Sequence, residues 1–281
     1  MQNANPNMRS LVKACENLNI PVSKIDNIGN FLQMKINNDF CYFTKVRVPI
    51  NNESVAMICV NKAYAFWLLN EELPMPNTKA YFDPDAVEDD MRFQAEFKTA
   101  KKIAEDVLNN FELPVIIKMN SGSQGKHVYK CQTKGKIVKA VKAVFKKKQK
   151  DYDTSLLAQQ FIQIKNEYRA ILMDGEMLLL YEKVSKEKNR NLSPLHNDDG
   201  RAEIVTDENV ISAIKSVVDN SPKLKNFEWI GLDIARDKND EWFILELNTR
   251  PGFSYYIRDN GDNLIVKLYE RLLTRIRDGK K

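Results

Sequence analysis

The segment Trp229–Arg250, WIGLDIARDKNDEWFILELNTR, constrains the fold more than any other stretch of the chain. It reads as two apolar strands around Asn239-Asp240, a dipeptide suited to the tight turn of an antiparallel hairpin. A two-residue turn centred there pairs Lys238 with Glu241, Ile234 with Leu245, Asp233 with Glu246 and Gly231 with Asn248. Side chains alternate between faces, so Asp233 shares a face with Gly231 and Ala235, and Glu246 with Ile244 and Asn248. Two carboxylates and an amide thereby converge on one patch beside small residues. Like charges directly opposite each other repel, at Cβ separations of roughly 5 Å. One remedy is a divalent cation, because oxygen donors at this spacing suit Mg²⁺ or Mn²⁺ completed by waters and phosphate oxygens. The other is screening by solvent, or a nearby Lys or Arg. The apolar strands and the Pro251-Gly252 loop that follows weigh toward the metal.

A second signal lies at Leu113–His127, LPVIIKMNSGSQGKH. Its small residues let backbone amides approach phosphate oxygens, and Lys118 and Lys126 add positive charge. It is no Walker A loop, which needs four residues between Gly and Gly-Lys where Gly122 and Gly125 enclose two. The residues that follow alternate like a strand, so the loop reads as a hairpin able to cover phosphates. Lys118 ends an apolar strand, where its ammonium needs an anionic partner. Asp174-Gly175 marks another hairpin, whose register sets Glu167 opposite Glu182 with Arg169 two residues along.

The remaining grammar is mixed. Helical spacing marks Met8–Leu18, Val55–Asn70, Asp90–Asn110, Lys136–Lys148, Glu208–Val218 and Asn263–Ile276. Strand runs are Phe31–Ile36, Phe40–Val48, Leu156–Gln163, Glu167–Met173 and Glu176–Val184, besides those above. Hairpins punctuated by helices predict an α+β protein. The lysines from Lys134 to Lys150 read as the solvated face of an amphipathic helix. At 281 residues and 43% hydrophobic content the chain can build one large domain or two lobes about a cleft. A net charge of +5 favours anionic ligands only mildly, and nucleic acid is disfavoured. Two histidines leave little room for a Ser-His-Asp triad or a His-rich zinc site, and four dispersed cysteines read as free thiols. No apolar run is long enough to span a bilayer, and MQNANPNMRS lacks the apolar core of a signal peptide, so a cytoplasmic setting is expected.

Strand, glycine hairpin, lysine-rich helix, QQFI, EYR, GLDIA and ELNTRPG occur here in one order. That series resembles the ATP-grasp superfamily of carboxylate–amine ligases, over about Asn61 to Tyr269. Within it the chain is most similar to the cyanophycin synthetase, ribosomal-protein glutamate ligase and glutathione synthetase group. The resemblance implies an ATP-grasp fold of two α+β lobes clasping the nucleotide. Residues 1–60 then form a reduced N-terminal lobe, 61–157 the lobe with the glycine loop, and 158–281 the lobe with metal and catalytic residues. Carried across, Lys62 and Lys118 contact the ATP phosphates, and Ser121, Gly122, Ser123, Gln124 and Gly125 fold over them. Gln160, Phe161 and Ile162 line the adenine pocket, and Glu167 holds the ribose. Asp233, Glu246 and Asn248 bind magnesium, in agreement with the hairpin reading. Arg250 and Arg169 steady the transferred phosphate, and the polar loop containing Lys183, Arg190, Asn191 and Leu192 is similar to a flexible cover. Two departures stand out: the family has Glu where Gln160 stands, and many relatives carry a full α/β domain before the position of Asn61.

The activity so implied is ATP-dependent amide formation through an acyl phosphate, releasing ADP and phosphate, with Mg²⁺ or Mn²⁺ as cofactor. The acid is a small molecule, peptide or protein tail, and the partner an amine. A kinase acting on a small molecule and a non-catalytic ATP-binding regulator are the alternatives. The reduced N-terminal lobe also makes a homodimer attractive.

Overall fold

The computed structural model describes residues 4–86, 95–122, 125–147, 152–186 and 194–279. Asn5 caps helix α1 (Pro6–Asn17) by accepting from the Asn7 amide, and proline occupies the first helical position, where no amide is needed. Strands β1 (Val22–Lys24), β2 (Phe31–Ile36) and β3 (Asp39–Thr44) make a small antiparallel sheet in that order. The β2–β3 turn puts Asn37 at φ 52°, a left-handed value that Asn tolerates. Leu32, Met34 and Phe43 point inward and join α1 in a core that also holds Trp229, Tyr269 and Leu272. The first helix and sheet therefore share one core with the C-terminal part of the chain.

The single helix expected over Val55–Asn70 is two, α2 (Glu53–Val60) and α3 (Lys62–Leu69). Asn61 breaks the run with an extended backbone, and its side chain accepts from the Tyr64 amide to cap α3. Strands β4 (Thr78–Phe82), β5 (Val115–Met119), β6 (Val128–Cys131) and β7 (Ser155–Gln160) form a second antiparallel sheet, ordered β4-β7-β5-β6. Helices α4 (Ala100–Asn110) and α5 (Lys134–Val144) bury Ile103, Val107, Ile137 and Val141 against it. Helix α4 starts at Ala100 rather than Asp90, because Thr99 turns its hydroxyl to the Lys102 amide and caps it there. Residues 87–94, in the expected first part of that helix, lie outside the described residues. Helix α5 keeps its lysines on the exposed side.

The third sheet runs β10-β9-β8-β11-β12, from strands β8 (Ile164–Met173), β9 (Glu176–Val184), β10 (Arg201–Ile204), β11 (Trp229–Asp237) and β12 (Trp242–Asn248). One face carries Ile171, Tyr181 and Trp229 into the first core, under α7 (Ser254–Asn260) and α8 (Asn263–Asp278). The other carries Ala170, Ile230, Leu232 and Ile234 against α2, α3 and α6 (Glu208–Asp219). Cover on both faces explains why WIGLDIA is apolar almost throughout. Gly231 sits at a close approach, since a Cβ there would lie 3.2 Å from Pro251 Cβ and press on it. Among the described residues no helix is long and apolar enough to cross a membrane.

Candidate active site

A row of side chains crosses the third sheet. Tyr181 pairs with Arg169, Arg169 with Asp233, and Asp233 with Glu246. Cross-strand partners share a face, and here that face opens into a cavity of about 620 Å³. The expected pairing of Asp233 with Glu246 and of Gly231 with Asn248 holds, whereas Ile234 faces Ile244 instead of Leu245. A bulge at Leu245 therefore turns Ile244 into the core, away from the face of Glu246.

Asp233 is enclosed by cations. Arg169 donates to it through Nε at 2.7 Å and Nη2 at 2.8 Å. Lys183 Nζ lies 2.7 Å from Asp233 Oδ2 and donates to Glu167 Oε1, also at 2.7 Å. Burial disfavours a charged Asp233, yet Arg169 and Lys183 outweigh it and hold the carboxyl well below its usual range. Burial pushes Glu167 up, with Lys183 opposing it. Two positions differ from expectation here. A bulge between Ile171 and Leu172 sets Tyr168, not Glu167, opposite Glu182, and Glu167 meets Lys183. Lys183 is a buried residue of β9 rather than part of a covering loop. Arg190, Asn191 and Leu192 lie outside the described residues.

The opposite wall is built differently. Lys118, the last residue but one of β5, lies between Val128 and Leu157 and is only 8% exposed. Its ammonium donates to Gln159 Oε1 at 2.8 Å, and Gln159 donates onward to Thr78 Oγ1 at 2.9 Å. The anionic partner expected for Lys118 is absent among the described residues; a neutral amide stands in its place. Burial, reinforced by nearby Lys62, pushes the Lys118 ammonium down to about 8 against the pull of Glu246.

Lys62 is set by the cap that splits α2 from α3. Asn120 accepts from the Ala63 amide and donates to Asn61 Oδ1 and Ser155 Oγ, tying the start of α3 to the second sheet. The Lys62 ammonium then donates to the Gly122 carbonyl and lies 3.7 Å from Glu246 Oε2. It thus links the glycine hairpin to the carboxylate hairpin. Ser121 is engaged with Asp153, whose Oδ2 accepts from both its amide and its hydroxyl at 2.7 Å. A Cβ at Gly122 would meet Met119 Cβ at 3.0 Å, so a side chain there would have to displace Met119 slightly. Ser123 and Gln124 lie outside the described residues, while Gly125 borders the cavity.

Gln160, Phe161 and Ile162 line the far end, with the Lys130 ammonium 3.7 Å above the Phe161 ring. Gln160 accepts from the Asn77 amide at 3.2 Å. At the near end Asn248 accepts from the Arg250 amide at 2.8 Å, and burial together with Arg47 lowers the affinity of the Arg250 guanidinium for its proton. Sequence reasoning passed over Gln159, Asn120 and Val46, although the first two fix the lysines and the third lines the cavity.

The donor set fits a hard cation. A carboxylate offers about four lone-pair sites, and Arg169 and Lys183 occupy three of those on Asp233. Glu246 is 31% exposed with one distant ion-pair partner, and Asn248 retains a lone pair. Among the described residues no group of three or more His, Cys, Asp or Glu side chains could hold a metal alone. A cation would therefore complete its shell with phosphate oxygens.

A glycine hairpin and a buried lysine on one sheet, facing a carboxylate hairpin on another, define an ATP-grasp protein. The chain belongs to the RimK-like ATP-grasp domain family, whose sequence model matches residues 87–272. The D-alanine–D-alanine ligase of Haemophilus ducreyi is 24% identical over 183 residues, covering 60% of this chain and 55% of that protein. Among solved structures, the D-alanine–D-alanine ligase from Coxiella burnetii superposes with a TM-score of 0.55 at 17% identity, over 81% of this chain and 61% of that one. The bifunctional glutathione synthetase from Pasteurella multocida gives 0.54 at 14% identity, over 96% and 44%. The chain thus spans little more than half the length of the curated ligase.

Proposed function

We propose that this protein is an ATP-dependent ligase that joins a carboxylate to an amine through an acyl phosphate. The observation that carries the reading is one cavity bounded by a buried ammonium without a counterion, Lys118, and by the oxygen donors of Asp233, Glu246 and Asn248. Lys118 and Lys62 bind phosphate oxygens, with Ser121, Gly122 and Gly125 beside them at the cavity wall. Phe161 and Ile162 bound the nucleobase, and Glu167 serves the ribose. Asp233, Glu246 and Asn248 would hold Mg²⁺, which when bound neutralises phosphate charge. Arg169 and Lys183 act through Asp233, keeping it ionised and oriented.

In this reading the substrate carboxylate attacks the γ-phosphorus of ATP, breaking its bond to the bridging oxygen and releasing ADP. The amine nitrogen then attacks the acyl carbon, loses a proton, and phosphate departs. In this reading Arg250, which lines the cavity, takes the role of stabilising the negative charge that develops on the acyl oxygen. No covalent enzyme intermediate is required. Four free cysteines among the described residues suit a reducing, cytoplasmic setting. The test is a phosphate-release screen with ATP and Mg²⁺ over pooled acids, amino acids and peptides. A ligase releases phosphate only when acid and amine are both present. Phosphate-free turnover yielding a stable phosphorylated product would identify a kinase instead.

A further inference from the structure

The sheets treat their outer edges differently. An edge strand offers unpaired amides and carbonyls to any passing strand, and proteins commonly block it. On the third sheet β10 is blocked: the Ala202 amide donates to Asp259 Oδ2 at 2.8 Å, and the Ala202 carbonyl accepts from Asn260 Nδ2 at 2.7 Å. On the N-terminal sheet one edge, β1, is three residues long, starts just after Pro21 and ends on Lys24. The other edge, β3, reads DFCYFT and has no lysine, proline, glycine or bulge.

The outward groups of β3 follow from the turn after it. The Arg47 amide donates to the Thr44 carbonyl at 2.9 Å, and the Thr44 amide to that of Arg47 at 3.4 Å, so the Thr44 backbone points away from β2. Lys45, one residue on, donates inward to the Asn30 carbonyl at 2.8 Å. Orientation alternates along a strand, so the amides and carbonyls of Tyr42 and Phe40 also point outward. Among the described residues they meet no other backbone group, and the Tyr42 amide has only the Cys41 sulfur beside it. Their side chains are 59% exposed at Phe40 and 50% at Tyr42, with the Phe31 ring 6.1 Å from that of Tyr42.

A second copy of β3 complements this edge. Antiparallel pairing about a two-fold axis at Cys41 sets Phe40 of each copy opposite Tyr42 of the other. Every outward group of the two residues is then bonded, and two aromatic cross-strand pairs form on the solvent face. A centre at Tyr42 would call on the Thr44 backbone, which Arg47 already holds, and a centre at Phe40 on Asn38 in the turn. We propose that the chain forms a two-fold dimer by pairing β3 with β3 of a second copy, joining the two N-terminal sheets into one. Four half-exposed rings contribute about 400 Å², beside the roughly 1,000 Å² of a specific interface. Main-chain bonds carry the remainder, as in other strand additions, so the dimer should dissociate on dilution through the micromolar range. The inference stands apart from the ligase reading.

Sedimentation of the reduced full chain tests it, and should show a monomer–dimer equilibrium at micromolar concentration. Phe40→Lys combined with Tyr42→Lys sets like charges directly opposite each other and should weaken the dimer at least tenfold without lowering the melting temperature. Tyr42→Lys alone serves should the double variant misfold. The register has its own readout. Cys41 meets its counterpart in a non-hydrogen-bonded site with Cα atoms about 4.5 Å apart, within disulfide reach. Copper phenanthroline, taking two electrons from the two thiols as their protons leave, should trap a covalent dimer. Cys41→Ser should lose that cross-link yet still dimerise. A wild type that stays monomeric throughout the micromolar range, a dimer indifferent to the lysine variants, or a dimer that oxidation does not trap through Cys41 would overturn the proposal.

Discussion

The two walls of the cavity carry charge in opposite ways. On the third sheet Asp233 and Glu167 face Arg169 and Lys183, two acids against two bases, and the cluster closes on itself. On the second sheet Lys118 is buried just as deeply but has only the amide oxygen of Gln159. The first wall is complete without a ligand and the second is not. A buried ion without a counterion is costly, and here its proton affinity falls to about 8 in consequence. An anionic ligand therefore gains most at Lys118, whereas at Asp233 it must be accommodated beside charges already balanced. Counting charged residues around the pocket would have missed that distinction.

The comparison breaks most readily at Asp233. Asp233→Asn removes one charge at nearly constant volume and leaves Arg169 and Lys183 buried with Glu167 as their only acid. A loss of roughly 3–5 kcal/mol is expected, as for other buried pairs deprived of one partner. Its pH signature follows from the depressed folded-state pKa. The stabilisation is fully present above the unfolded carboxylate value of about 3.9 and disappears as the pH falls through the folded one. Urea denaturation at neutral pH checks this, and a variant as stable as wild type would mean that the cluster does not neutralise itself.

Glu246 should behave differently, being half-buried with Lys62, at 3.7 Å, as its one ion-pair partner among the described residues. Glu246→Gln is expected to leave the melting temperature nearly unchanged and to slow turnover by two or more orders of magnitude, about 3 kcal/mol in the barrier. Early melting with normal turnover once folded would assign Glu246 a structural role. The smallest effect is at the second wall. Lys118→Met should weaken ATP binding tenfold or more, about 1.4 kcal/mol, while stability is equal or higher because a buried ammonium is gone. Calorimetry and thermal melts on the same sample separate the two quantities.

Much of this contrast was legible in the sequence, in places for compensating reasons. The pairing of Asp233 with Glu246 follows from the Asn239-Asp240 turn, but that turn holds three residues rather than two. The Asp237 amide bonds to the Glu241 carbonyl at 2.9 Å, and Asp240 takes φ 66°. The bulge at Leu245 then restores the offset before the carboxylates are reached. Alternation carries no mark of a bulge, so Ile244 was assigned to the wrong face and Glu167 to the wrong partner. Gln159 was illegible because a glutamine in a strand signals no particular contact until its neighbour, a buried lysine forty-one positions away, is known. Lys62 was legible through resemblance, whereas the cap at Asn61 that positions it was hidden inside a continuous helical pattern.

The most direct measurement is the proton uptake that accompanies ATP binding, read by calorimetry in buffers of different ionisation enthalpy. At about pH 8.5 the free protein holds Lys118 mostly deprotonated, given its value of about 8. A bound phosphate would draw the proton back, so apparent affinity should weaken as the pH rises through that value. Wild type should take up most of one proton at pH about 8.5 and almost none at about 6.5, and Lys118→Met should take up none at either. Equal uptake by the two proteins, or none by wild type, would contradict the claim that Lys118 is the buried cation awaiting phosphate.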